Sequence, residues 1–175
     1  MSFNTIIETE RLILRPFTMD DVEPSYQMNL DEEITLYTND GGVKTRAEIH
    51  KTIKTNVLGD YEKHGFGRLA VILKSENAFI GFTGLKYLPE YNLVDLGYRL
   101  RRDCWGKGIA TEGAKASMKF AFNDLKLPKV VGFIIPDNIA SARILTKLNF
   151  KFEKELYEDE ILLHQYSILN INNEK

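Results

Sequence analysis

Between Val94 and Gly113 the chain reads Val-Asp-Leu-Gly-Tyr-Arg-Leu-Arg-Arg-Asp-Cys-Trp-Gly-Lys-Gly-Ile-Ala-Thr-Glu-Gly. Two glycines and a lysine, Gly106-Lys107-Gly108, follow a cluster of arginines at Arg99, Arg101 and Arg102. Glycines let a backbone close on a ligand without a side chain in the way. Upstream, Asp95-Leu96-Gly97-Tyr98-Arg99-Leu100 alternates polar or small with apolar residues, the period-2 pattern of a half-buried strand. Downstream, Ala110, Ala114, Met118, Phe122 and Leu125 recur at helical spacing. A strand that feeds a helix through such a loop is a device for holding an anion. The first N–H groups of a helix have no internal partner, and the helix dipole adds partial positive charge there.

Other nucleotide-binding loops are excluded by their spacing. A Walker A loop needs Gly-x-x-x-x-Gly-Lys-Ser/Thr, which the chain lacks around Gly106, and the Rossmann pattern fails where its third glycine would be Thr111. Gly65-Phe66-Gly67-Arg68-Leu69-Ala70 matches Gly-x-Gly-x-x-Ala formally. It enters the apolar run Val71-Ile72-Leu73, which reads as a strand, whereas the motif must open a helix. Cys104, the one cysteine, has no histidine near it in sequence and reads as an inert, partly buried thiol. The three histidines, His50, His64 and His164, form no metal-ligand spacing, so no metal is expected.

The elements that must position the loop fit one domain over residues 1–175. The hydrophobic share of 43% and charged share of 27% belong to an ordinary globular chain. A net charge of −2 supplies no global basic field, so no nucleic-acid partner is expected. One cysteine cannot form an internal disulfide, which favours a reducing compartment. With no signal-like amino terminus and no membrane-length apolar run, a cytoplasmic location and no membrane partner are expected.

Thr9 to Phe17 reads as an opening strand, and Thr18 as a helix cap ahead of Asp20 and Asp21. A short helix is expected within Asp31 to Thr38, and a turn at Asn39-Asp40-Gly41-Gly42. Thr45-Arg46-Ala47-Glu48 has the form of a capping box, followed by Ile49, Ile53, Val57 and Tyr61 along one face until about Lys63 to Gly65. Strands follow at Arg68–Lys74 and Phe79–Tyr87. After the central helix come a strand at Lys129–Ile135 and a helix from Pro136-Asp137-Asn138 to about Leu148, which Asn149 ends in the left-handed conformation. Phe150–Tyr157 and Ile161–Leu169 make a closing hairpin, and Asn170 to Lys175 a frayed tail. The class is α+β (mixed α/β) with one sheet.

Three separated blocks carry a resemblance to a known family: Thr9-Glu10-Arg11-Leu12-Ile13-Leu14-Arg15, Gly97-Tyr98 through Glu112, and Asn138 through Phe150. The chain resembles the GNAT superfamily of acetyl-CoA-dependent N-acetyltransferases, in its Rim-type ribosomal-protein N-terminal branch. The general loop of that superfamily is Arg/Gln-x-x-Gly-x-Gly/Ala. Gly108 and Ala110 fit it, whereas Trp105 stands where Arg or Gln is usual, and Trp-Gly-Lys-Gly-x-Ala-Thr-Glu is the form common in the Rim-like branch. The resemblance implies a central, mostly antiparallel, splayed mixed sheet flanked by helices. It implies that backbone N–H groups of Gly106, Lys107, Gly108, Ile109 and Ala110 cradle the CoA pyrophosphate. Arg101, Arg102 and the Lys107 side chain could add charge-assisted contacts. The alternative for the loop is a solvated basic turn. A bulge near Gly97-Tyr98 would splay the central strand and expose backbone groups of Tyr98 and Leu100 to the pantetheine arm.

Family logic directs Asn138 to the pantetheine and Ser141 to the thioester sulfur, one helical turn apart. Asn138 also reads as a helix cap. Many members carry a tyrosine that protonates the departing thiolate; the matching residue here is Leu145, and Ser141 is the substitute. Acetyl transfer needs a neutral amine, and Asp95 could draw its proton through a water. The alternative for Asp95 is a surface carboxylate offsetting nearby arginines; His64 and Tyr166 are further candidates.

The resemblance implies that the acceptor is a primary amine, either a protein N-terminus or a small molecule, and a homodimer is allowed. Its side of the site would come from Asp31 to Gly65 and the closing hairpin. Glu32, Glu33, Asp40 and Glu158 to Glu160 could attract a cation or merely be solvated. A CoA-binding regulatory module without turnover is a second reading, and a nucleotide or nucleic-acid module a third.

Overall fold

Alternation in the sequence becomes one buried sheet face: Leu12 and Leu14 on one strand lie with Leu69, Val71 and Leu73 on the next, all at most 8% exposed. The protein is described by a computed structural model over residues 3–38 and 42–171. In chain order the strands are β1 Ile7–Glu8, β2 Leu12–Pro16, β3 Arg68–Leu73, β4 Ala78–Leu88, β5 Leu93–Leu100, β6 Lys129–Ile134, β7 Lys151–Glu158 and β8 Ile161–Leu169. The helices are α1 Val22–Asn29, α2 Glu32–Thr35, α3 Arg46–Lys51, α4 Leu58–His64, α5 Ile109–Lys119 and α6 Ile139–Lys147. The described strands form one eight-stranded sheet, ordered β1-β2-β3-β4-β5-β6-β8-β7. Every neighbouring pair is antiparallel except β5 and β6. This is the expected mixed α+β sheet.

Each face has its own core. Ala114 and Met118 of α5 and Leu145 of α6 pack with Leu85, Leu96, Val130 and Ile134 of the sheet. On the other face Val22 of α1 and Ile49 of α3 join Phe17, Ile53 and Ala70. The turn residues behave as their chemistry requires. Thr45 and Glu48 form the capping box, and Asn149 takes a φ of 66° after α6.

Several expectations need correction. The opening strand is broken, because Thr9-Glu10-Arg11 turns back so that Ile7 pairs with Leu14 and Glu8 with Ile13. The long helix after Thr45 contains a π-helical stretch at Thr52–Val57, and α5 is followed by another at Phe120–Asp124. The buried stripe of α5 is Ile109, Gly113, Ala114, Ser117 and Met118, with Ala110 only partly buried. No extra residue interrupts β4–β5 at Gly97-Tyr98, where Gly84 faces Gly97 and Thr83 faces Tyr98 in unbroken register. The register shift lies instead between β3 and β4, where Val71 faces Gly81 and Ile72 faces Phe79. Asn170 does not fray: it is 4% exposed, and its Nδ2 donates to the Phe122 and Leu127 carbonyls at 3.3 and 3.1 Å. The expected turn at Asn39-Asp40-Gly41-Gly42 falls mostly outside the described residues, as does the tail beyond Ile171.

Candidate active site

The site begins where two strands part. β5 and β6 run parallel and register at Asp95 and Val131 alone. On its other edge β5 keeps a full antiparallel ladder with β4, extended by the Arg101 N–H donating to the Ile80 carbonyl at 2.8 Å. Alternate residues of an antiparallel strand aim their backbone groups at the same neighbour. Arg101, Arg99, Gly97 and Asp95 therefore face β4, and Leu96, Tyr98 and Leu100 turn their N–H and C=O toward the fork. The splay thus arises from divergence of a parallel pair, with no bulge in β5. The Leu100 carbonyl accepts from Trp105 Nε1 at 2.9 Å, so the loop's tryptophan is tied to the strand end.

Asp95 sits at the crotch of the fork. It is 9% exposed, which corrects the surface-carboxylate reading. Its partner comes from β3: Arg68 Nη2 lies 2.5 Å from Asp95 Oδ2, and Arg68 Nη1 donates to the Asp95 carbonyl at 3.2 Å and to the Gly84 carbonyl. The Phe133 N–H of β6 also bonds the Asp95 carboxylate, so this side chain spans both prongs. Burial pushes the carboxyl up from its ordinary value, while Arg68 and the Phe133 N–H pull it back. Arg68 reaches Asp95 by lying across Gly97, where a Cβ would collide with the guanidinium. The glycine is there for close approach.

The loop is built around a charge cluster that spans most of the chain. Glu112, in the first turn of α5, accepts from Thr9 Oγ1 at 2.6 Å, the Arg11 N–H at 2.9 Å and Arg11 Nε at 2.6 Å. Arg11 Nη1 continues to the Lys107 carbonyl at 2.8 Å. Burial alone would raise the Glu112 carboxyl, but these bonds from Thr9 and Arg11 outweigh it and hold the group below its usual range. This docking is also why the opening strand breaks at Thr9–Arg11. Gly106 and Gly108 take φ values of 71° and 74°, a region glycine enters without a Cβ penalty, and Gly108 caps α5.

Across the fork, Asn138 caps α6, its side chain accepting from the Ser141 N–H at 3.1 Å. The Tyr98 hydroxyl donates to the Ser141 carbonyl at 3.2 Å, and burial pushes that phenol up to about 12. Leu145 is 1% exposed and packs on Gly132.

A cleft of about 810 Å³ joins these parts. Asp95, Tyr98, Leu100, Gly106, Gly108, Ile109, Ala110, Asn138 and Ser141 line it, while Arg101, Arg102 and Lys107 do not. Arg101 is bound to Asp103 and Glu76, at 2.6 and 2.7 Å, and Arg102 lies 3.1 Å from Asp31. His64 meets Tyr87 at a tilt and Tyr166 meets Phe152 edge to face; neither lines the cleft. The other half of the cleft is lined by Asn29, Ile34, Ile49, Asn56, Asp60 and Glu158, from the early helices and the closing hairpin. Glu33 joins them, Glu32 does not, and Asp40 lies outside the described residues. Sequence reasoning missed Arg68 and Asn29. Arg68 follows Gly-Phe-Gly at a strand start, and Asn29 ends a helix, with no motif marking either. Among the described residues no His, Cys, Asp and Glu cluster could hold a metal ion, and no helix is long and apolar enough to cross a membrane.

Residues 11–151 match the acetyltransferase (GNAT) domain family. An uncharacterized N-acetyltransferase p20 of Bacillus licheniformis is 29% identical over 154 residues, covering 87% of this chain and 85% of the relative. Spermidine N(1)-acetyltransferase of Escherichia coli is 26% identical, covering 87% of this chain and 80% of that protein. The crystal structure of a GNAT-family acetyltransferase from Bacillus anthracis superposes with a TM-score of 0.80 at 25% identity, over 95% of this chain and 99% of that one. RimL, a ribosomal L7/L12 α-N-protein acetyltransferase in complex with coenzyme A, shares the fold, with a TM-score of 0.78 at 20% identity over 94% and 98% of the two chains. The forked sheet and glycine loop are thus those of a GNAT acetyltransferase, the family to which this chain belongs.

Proposed function

We propose that the chain moves an acetyl group from acetyl-CoA to a primary amine by direct attack in a ternary complex. The observation that carries this reading is the β5–β6 fork opening into the same cleft as the first turn of α5. Bound acetyl-CoA would supply an activated thioester. The residues fit it: α5 presents unpartnered N–H groups behind Gly106 and Gly108, and a Cβ-free surface lies open at Gly106. Tyr98 and Leu100 turn backbone groups to the fork, where an N–H can donate to the oxygen of a tetrahedral intermediate. Arg101 and Arg102 are paired with carboxylates beyond the cleft lining, so charge attraction for the phosphates is proposed for the Lys107 side chain at the rim.

Asp95 is proposed to take the amine's proton through a water, with Arg68 orienting the carboxylate. A carboxyl pushed up by burial accepts a proton more readily than an exposed one. Asn138 holds the turn that presents Ser141, and Ser141 is proposed to donate to the departing thiolate. The Tyr98 hydroxyl, which donates to the Ser141 carbonyl, holds the same turn in place. No covalent enzyme intermediate is needed. Low net charge and the cytosolic chemistry of acetyl-CoA favour a cytoplasmic enzyme acting alone or as a homodimer.

CoA release from acetyl-CoA, followed across peptides with Ser, Ala or Met N-termini, spermidine, aminoglycosides and free amino acids, tests the reading. Acceptor-dependent release that falls at least 10-fold in Asp95→Asn or Ser141→Ala is expected. CoA binding by calorimetry without turnover on any acceptor would favour a binding module instead. Neither binding nor turnover would sink both.

A further inference from the structure

Two side chains in the acceptor half of the cleft lack a hydrogen-bond partner among the described residues. Asn29, the last residue of α1, is 1% exposed, and its Nδ2 has no acceptor. Lys86, on β4, is partly buried and lines the cleft, and its Nζ enters no hydrogen bond or ion pair among those residues. A buried amide has a hydrogen bond to offer a ligand. The lysine has more to offer, because it carries the very group this cleft is proposed to acetylate, a primary amine.

Its position on the sheet brings that amine to the fork. Lys86 stands directly across from Asp95 in the β4–β5 ladder. Residues opposite each other on antiparallel strands point to the same face, with Cβ atoms about 4.5–5.5 Å apart. Phe82, two alternations before Lys86 on that face, packs against the core that includes Val22 of α1 and Ile49 of α3. The shared face is therefore the acceptor side. Asp60 of α4 lines the same cleft. Burial pushes the Asp60 and Asp95 carboxyls up, and the Lys86 charge acts against that shift on both. The ammonium thus lies within the field of two carboxylates. The fork runs along the far edge of β5, one strand spacing of about 4.8 Å beyond β4. A four-carbon stem crosses that spacing, and the shorter Asp95 side chain already accepts from the Phe133 N–H on the other prong. The carboxylate proposed as base stands between Lys86 and the fork.

We infer that Lys86 is an internal acceptor: with acetyl-CoA bound and no other amine in the cleft, the protein acetylates its own Lys86 Nζ. The inference rests on the acetyl-transfer reading above and adds a modification site to it. In the step the Nζ–C bond forms as the thioester C–S bond breaks. Two protons leave the ammonium, one through Asp95 to water and one to the CoA sulfur. The products are an acetamide at Lys86 and free CoA, and no further reactant is needed. Amine and thioester are held by one molecule, so the rate is independent of protein concentration. Lys44 and Lys147 also line the cleft, but Lys44 precedes α3 and Lys147 ends α6, so neither is on a strand of the fork. They serve as internal controls.

Mass spectrometry of the intact protein, after incubation with acetyl-CoA and no added amine, counts the acetyl groups, and peptide mapping places them. Wild type should gain one acetyl group, at Lys86, at a rate unchanged over about a 10-fold range of protein concentration. Protein unfolded in urea, where lysines react by exposure alone, should show no preference for Lys86. Lys86→Arg keeps the charge and cannot be acetylated. It should lose the modification and the CoA release seen without acceptor, with calorimetric CoA affinity and melting temperature unchanged. CoA release with the amine panel runs beside these measurements.

An unmodified Lys86 in a protein that acetylates an added amine overturns the inference while acetyl transfer stands. Acetyl groups at Lys44 or Lys147 instead, or spread alike over folded and unfolded protein, also overturn it. A rate that rises with protein concentration means that one copy acetylates another, which overturns the step within one molecule. Acetylation at Lys86 with no turnover on any added amine leaves the inference standing and sinks transfer to an external acceptor. Neither modification nor turnover sinks both.

Discussion

The cleft has two halves held together in different ways. Most of the cofactor half comes from one continuous run, β5 through the glycine loop into α5, and distant groups brace that run from outside, Thr9 and Arg11 at Glu112 and Ser141 at Tyr98. The acceptor half is assembled from side chains far apart in sequence: Asn29 meets Arg99, and Arg68 meets Asp95. There a buried charge pair and an orphan amide coexist. A loop whose charged side chains are paired within the protein can be rigid before its ligand arrives, while its free helix N–H groups stay available. A wall that keeps an unpaired donor is less stable than it could be and has hydrogen bonding left to offer a ligand.

The largest test of this contrast is Arg68→Met. It strands the Asp95 carboxylate at the fork, and removing one member of a buried pair costs about 3–5 kcal/mol. Urea denaturation should show that loss; a change within error would mean that Asp95 is solvated in the free protein. In the cofactor half, Glu112→Gln should cost about 1–3 kcal/mol near neutral pH, because charge-assisted bonds to Arg11 and Thr9 are weakened.

The pH dependence carries the sign. The folded Glu112 carboxyl is held below its unfolded value, so its stabilisation is complete above the ordinary carboxylate range and is lost as pH falls through the depressed folded value. The wild type–Glu112→Gln difference should therefore shrink in acid, and a difference independent of pH would show that shape rather than charge is at work. The smallest effect is expected at Gly108. Alanine there must hold a φ of 74°, which costs about 1–2 kcal/mol, and the strain should weaken CoA binding in calorimetry more than it lowers the melting temperature.

The cofactor half was legible for a physical reason. Loop, strand and helix lie next to one another in sequence, and glycine placement and periodicity are local signals. The capping box at Thr45 and the left-handed Asn149 were legible in the same way. Errors arose where a distant contact overrode a local pattern. Thr9–Arg11 has the alternation of a strand, but the bonds to Glu112 turn it. The i+4 spacing of Ala110, Ala114 and Met118 suggested one stripe, but at 3.6 residues per turn such a series drifts, and the buried face runs through Ile109, Gly113 and Ser117 as well. The splay was expected from a bulge at Gly97, whereas Gly97 makes room for Arg68.

Residue order by itself determined most of the elements, the glycine loop between β5 and α5 and the family to which they belong, since each depends on neighbours within a few turns of chain. Tertiary structure decided which charges pair with one another and where a buried amide donor goes unmet. The Arg68–Asp95 pair, the Glu112 cluster and the unpaired Asn29 amide depend on strands and helices meeting across 27 to 103 residues. Hydrogen bonding and desolvation act on distance in space, and no spacing in the sequence encodes that distance.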